Sequence, residues 1–114
     1  MKIRNITKLF EEATSAATSI ELRNNDCDST TIQVWGTFSD VSLTVQGKTD
    51  PDADYVAIGL INDSDYAIVT NGSITKAGIF TIGSDAIHSL KVIINSVSGG
   101  NVSVSAMQVN SAEV

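Results

Sequence analysis

At 114 residues, 42% of them hydrophobic, the chain is long enough for one domain with one core and too apolar for wholesale disorder. Its net charge of −6 and its seven scattered Lys and Arg residues leave no basic stripe, which argues against nucleic acid and against an anionic membrane surface as partners. Cys27 is the only cysteine, so no intrachain disulfide supports the fold, a condition that suits assembly in a reducing cytoplasm.

The first residues, MKIRNITKLFEEA, hold no uninterrupted apolar run of signal-peptide length, because Lys8, Glu11 and Glu12 break it. No window is apolar enough to span a bilayer. Residues 7–19, TKLFEEATSAATS, lack a clean helical stripe and are rich in Thr and Ser. They predict an extended arm over residues 1–19, with a short helical turn capped by Thr7 as the alternative. A single domain then occupies residues 20–114, opening on a strand at 19–23.

Residues 30–38 alternate: Ile32, Val34, Gly36 and Phe38 share one face, and Thr31, Gln33, Trp35 and Thr37 the other. After the short link Ser39-Asp40, the residues Val41, Leu43 and Val45 alternate with Ser42, Thr44 and Gln46. The two runs predict an antiparallel hairpin. Residues 55–61, YVAIGLI, are apolar on both faces and predict a central strand. Residues 62–65 form a polar turn and 66–70 another strand, followed by Asn71-Gly72, a strong two-residue hairpin signal. Residues 78–82 form a short strand. Residues 88–97 form a longer one with Leu90, Val92 and Ile94 on one side. Ser98-Gly99-Gly100-Asn101 turns the chain into a last strand. There the apolar parity changes from Val102, Val104 and Ala106 to Met107 and Val109, which signals a bulge or burial on both faces. Abundant Ile, Val and Thr, with about eight strands between polar turns, predict an all-β fold. The architecture is an antiparallel β-sandwich, jelly-roll-like, with an extended N-terminal arm.

Few residues suggest chemistry. Asp50, Asp52 and Asp54 stand at alternate positions in TDPDADY, as carboxylates do in calcium loops. The EF-hand pattern requires Gly at its sixth position and Glu at its twelfth; here those are Tyr55 and Ile61. The stretch therefore reads as a polar turn between strands and only a weak calcium site. His88 is the only histidine. Ser84 and Asp85 lie near it, but no G-x-S-x-G elbow accompanies them. One His and one Cys make no ordinary zinc site, and Gly99-Gly100 precedes no helix that could cradle a phosphate. No cofactor and no catalytic residue is expected. Trp35 falls on the otherwise polar face of its strand. It is either covered by the arm or a second layer, or exposed as a protein interface or a sugar-stacking platform.

Three segments carry a resemblance: LFEEATSAATSIEL at 9–22, TIQVWGTFSDVSLTVQGKTDPDADYVAIGLIN at 31–62, and AGIFTIGSDAIHSLKVIINSVSGGNVSVSAM at 77–107. Together they resemble small structural proteins encoded by tailed phages and prophages. The matching positions are Val34, Gly36, Phe38, Val45 and Gly47, then Gly78, Ile79, Phe80 and Ile82, then Ser98, Gly99, Gly100, Val102 and Val104. The resemblance implies a non-enzymatic virion component, a capsid decoration or head accessory protein, assembled in the bacterial host cytoplasm. Its implied partners are the major capsid protein or tail proteins and further copies of itself, for instance as a trimer. A tail or baseplate module, or a host-surface carbohydrate-binding module, is the alternative. The arm would anchor the protein to the particle, with Leu9 and Phe10, beside Trp35, as interface residues. Deleting residues 1–15 would then abolish particle binding and leave the β-fold intact.

Overall fold

Runs of Val, Ile and Thr at alternate positions form strands whose apolar halves meet between two antiparallel sheets. The computed structural model of the chain describes residues 3–24, 27–84 and 86–110. The first sheet runs in the order β1 (Ile3–Ala13), β12 (Val102–Asn110), β4 (Ser29–Gly36), β10 (Gly78–Gly83), β7 (Leu60–Asn62) and β8 (Ile68–Val69). The second runs β2 (Ala17–Thr18), β11 (Ser89–Ser98), β5 (Asp40–Lys48) and β6 (Val56–Ala57), with β3 (Leu22–Arg23) also on β11 and β9 (Ser73–Ile74) also on β5. This is the expected all-β sandwich. Among the described residues it holds six long strands and six pieces of two or three residues, rather than about eight of ordinary length.

The core lies between the sheets. Ile32 and Val34 of β4, Phe80 and Ile82 of β10 and Val102, Val104 and Ala106 of β12 face Val41, Leu43 and Val45 of β5 and Leu90, Val92 and Ile94 of β11. Each fully buried Val, Leu, Ile or Phe side chain contributes about 1.5–3 kcal/mol.

Several local expectations change. The runs at 30–38 and 41–48 are not paired with each other: β4 belongs to the first sheet and β5 to the second, so the link between them crosses over the core. The link from β11 to β12 crosses in the same way. Alternation reports one buried face, which a strand gains equally by pairing with the next strand or by folding over against it. The two crossings interlock at one end of the molecule. Thr37 N–H donates to the Asn101 carbonyl at 3.1 Å, and Ser39 N–H to the Ser98 carbonyl at 2.9 Å. Gly36 (φ +152°) lies where a Cβ would stand 2.1 Å from the Asn101 carbonyl oxygen, and Gly100 (φ +149°) where one would stand 1.9 Å from that of Thr37. Only glycine allows both approaches.

Residues 55–61 are not one central strand. Val56 and Ala57 pair with β5, the chain crosses at Ile58 and Gly59, and Leu60–Asn62 pairs with β10 in the other sheet. Splitting the run lets Ile58 and Leu60 reach the core, while Val56 and Ile61 stay exposed. Asn71 and Gly72 both have positive φ, as the turn signal requires, at +56° and +60°. They join β8 of one sheet to β9 of the other, so they make a crossing and not a hairpin. In β12 the pairing to β4 is regular from Val102 to Val109. The change of parity therefore reflects a strand covered on both faces, with Met107 and Val109 half-buried on the outer one.

The N-terminal segment is extended, and it is also a strand of the sandwich. β1 pairs with β12 from Ile3 opposite Asn110 to Ala13 opposite Val102. Register shifts fall between Lys8 and Phe10 and between Phe10 and Ala13. Leu9, Phe10 and Ala13 pack against the core.

Candidate functional site

The outer face of the first sheet carries the most unusual surface. Directly opposed residues of an antiparallel pair point to the same side. The registers place Ile6, Met107, Thr31, Thr81, Ile61 and Ile68 in one row across all six strands. Ile6 is 67% exposed, Ile61 46% and Ile68 76%, and Ile79 stands exposed beside the row. Ile6, Met107, Thr31, Gln33 and Ile79 line a shallow apolar groove of about 280 Å³. Thr31 and Thr81 meet through their hydroxyls at 3.4 Å, and Thr81 donates to Asp63 Oδ2 at 2.9 Å. Their polar atoms are thus engaged within the sheet.

Four residues along β4 from Thr31, Trp35 is 43% exposed on the same face. It lines a second groove of about 280 Å³ with Lys8, Phe10, Glu11, Glu12 and Ser103. The irregular half of β1 shapes this groove. Glu12 holds φ +50°, a left-handed conformation that a non-glycine residue rarely adopts, and its N–H donates to Ser103 Oγ at 3.0 Å. Lys8 Nζ lies 3.4 Å from Glu11 Oε1. Trp35 and Phe10 both border this groove, but Phe10 stands opposite the buried Val104 and packs, like Leu9, against the core, so Trp35 alone of the three apolar residues singled out in the sequence presents its side chain on the outer face.

A polar cluster occupies the outer face of the second sheet. The Tyr55 hydroxyl donates to Glu21 Oε1 at 2.7 Å and lies 3.0 Å from Ser89 Oγ. Lys48 Nζ and Lys91 Nζ stand 4.8 and 4.4 Å from the Tyr55 ring centre, cation–π distances. Lys48 Nζ also donates to the Pro51 carbonyl at 3.0 Å and lies 3.9 Å from Glu21. The hydrogen bond from Tyr55, then one from Ser89 and the charges of Lys48 and Arg23, hold the Glu21 carboxyl below its ordinary 4.5. Burial first, and then the Glu21 carboxylate, hold the Tyr55 phenol above its ordinary 10.0. A tyrosine so held stays neutral, and Ser89 is fully buried beneath it with His88 Nδ1 at 3.2 Å. The arrangement ties three distant segments together. Nothing in the sequence marked Glu21 or Ser89, each 34 residues from Tyr55.

The other singled-out residues have structural places. Asp50 Oδ1 accepts the Asp52 N–H at 2.9 Å, and the Ala53 N–H bonds the Asp50 carbonyl at 3.0 Å, so TDPDADY is a turn closed by its own aspartate. Among the described residues, no three His, Cys, Asp or Glu side chains gather closely enough to hold a metal ion, Asp50, Asp52 and Asp54 included. Ser84 is buried and faces Thr30 Oγ1 at 3.2 Å, away from any triad; Asp85 lies outside the described residues.

These features define a two-sheet antiparallel sandwich with an apolar outer face. Solved structures share the fold, among them the SPBc2 prophage-derived protein YomS: TM-score 0.86, 16% identity, 96% of each chain covered. Another is the PBSX exported protein XepA: TM-score 0.88, 20% identity, 96% of this chain and 38% of that one. The chain thus spans nearly the whole of the first and little more than a third of the second. No protein-family model matches the sequence, and no curated protein matches it at significant similarity.

Proposed function

We propose that the chain is a non-enzymatic structural component of a phage particle, a capsid-decoration or head-accessory module that docks on a neighbouring particle protein. The observation that carries this is the row Ile6–Met107–Thr31–Thr81–Ile61–Ile68. An apolar strip across a six-stranded sheet is costly to leave in water and is characteristic of an interaction face. The fold supports the reading, since both solved relatives are prophage proteins by name. So does the internal engagement of Ser84, Ser89 and Tyr55, whose hydroxyls are hydrogen-bonded within the fold. Many copies, each held by a modest apolar contact, give a particle its combined stability.

The test is co-sedimentation. Purified chain is mixed with particles from an induced lysogen in which the gene has been deleted, so that its sites are empty, and the pellet is assayed. The chain should pellet with particles, and an Ile61→Asp/Ile68→Asp variant with an unchanged melting temperature should stay in the supernatant. A wild-type chain that remains soluble beside intact particles would overturn the reading. Its recovery only from culture medium, free of particles, would favour an exported role such as the one XepA, an exported protein, is named for.

A further inference from the structure

We infer that the Trp35 groove binds a pyranose ring of an uncharged oligosaccharide. The inference is independent of the docking row, which lies across the sheet at Thr31 rather than at Trp35.

Three observations converge. First, the only tryptophan of the chain presents much of its indole to solvent, on the outer face opposite Ser103. An exposed indole offers an apolar plate on which the C–H face of a sugar ring stacks, while its surroundings take the hydroxyls. Second, those surroundings are hydrogen-bonding groups of both kinds. The carboxylates of Glu11 and Glu12 accept, the Lys8 ammonium donates, and Ser103 Oγ accepts from Glu12 N–H and keeps its own hydrogen to donate. At about 280 Å³ the groove lies at the small end of ligand sites, the scale of a sugar unit rather than of a large cofactor.

Third, the backbone is strained where it lines this groove. Glu12 is held at φ +50° between the second register shift of β1 and its bond to Ser103. An edge strand could have run straight. Its departure sets Glu12 beside Trp35, and stored strain of this kind concentrates at ligand sites.

Charge selects the ligand class. Two carboxylates stand against one ammonium, and Lys8 is already paired with Glu11. A uronate or phosphate polymer would meet net repulsion on a chain of charge −6, whereas a neutral glycan meets none.

Because Trp35 is the sole tryptophan, its emission reports the site directly. The full chain is titrated with cellotetraose, maltotetraose and the N-acetylglucosamine tetramer, and with an oligogalacturonate as the anionic probe. A saturating change of emission is expected with at least one neutral tetramer and none with the galacturonate. By calorimetry on the folded protein, Trp35→Ala should reduce that binding at least tenfold; it also loses the covered part of the indole, so Trp35→Met, which keeps apolar bulk on the sheet without an aromatic plate, is the second variant and should weaken binding as much while keeping particle co-sedimentation. Glu12→Gly should raise the melting temperature, by removing the strain, and weaken binding. Flat titrations with all three neutral tetramers, or binding undiminished in Trp35→Ala, would overturn the inference.

Discussion

The hydroxyl of Tyr55 donates to the carboxylate of Glu21 at 2.7 Å, and through this bond the segment between β2 and β3 is fastened to the end of the acidic turn. The bond requires an ionised Glu21 and a protonated Tyr55. Glu21 is held low in the folded state, so its contribution to stability is present above about 4.5 and is lost as pH falls through the folded value. Tyr55 is held high, so its contribution is present below 10.0 and is lost as pH rises through the folded value. These two groups add no pH slope between those limits and destabilise outside them. Glu21→Gln should remove the acid contribution and weaken the alkaline one, since it takes away a cause of the raised Tyr55; Tyr55→Phe should remove the alkaline contribution and weaken the acid one. A pH profile of Tyr55→Phe superimposable on the wild type would contradict this.

Leu43 is fully buried on β5 between the sheets. Leu43→Ala leaves a cavity that neighbours on two sheets cannot collapse to fill, and should cost about 2–5 kcal/mol in urea unfolding. Ile68→Ser, 76% exposed on the outer face, should stay within about 0.5 kcal/mol.

Gly100→Ala should destabilise by about 1–3 kcal/mol from its backbone conformation alone, and further from the Thr37 carbonyl oxygen that the new methyl would strike. Gly83→Ala meets nothing within 4 Å and is the control. Equal midpoints for the two variants would show that the interlocked end tolerates movement.

Removing residues 1–15 should not leave the sandwich intact. It strips Leu9, Phe10 and Ala13 from the core and bares the edge of β12. The loss is roughly 3 kcal/mol for two half-buried large side chains, before any cost of the exposed edge. A truncated chain that is soluble with an unchanged melting temperature would contradict this. Loss of particle binding by such a truncation is therefore no evidence for a separate anchor, and point variants on the outer face are the sharper tool.

The long strands were legible because their side chains alternate: Ile32 and Val34, then Leu43 and Val45, then Leu90, Val92 and Ile94 all face the core as their spacing required. Sheet membership was not legible. Periodicity says that Val34 and Val41 are each buried on one side, and both statements hold whether their strands are paired or stacked. The exposure of Trp35 was one of the two alternatives that its parity left open, and its neighbours Phe10 and Glu12 come from a strand that carried no pattern of its own. The cluster at Tyr55 was hidden for a simpler reason: Glu21, Lys48 and Ser89 are polar residues in polar stretches, and only the folded chain brings them together.

The pairing of Ile3 with Asn110 has a consequence for how the unit can be used. Both ends of the described chain leave from the same corner of one sheet, a strand spacing apart. A module with that property can be spliced into a surface loop of another protein without prying the loop open. Gly36 and Gly100, where the crossings interlock, lie at the other end of these strands from that corner.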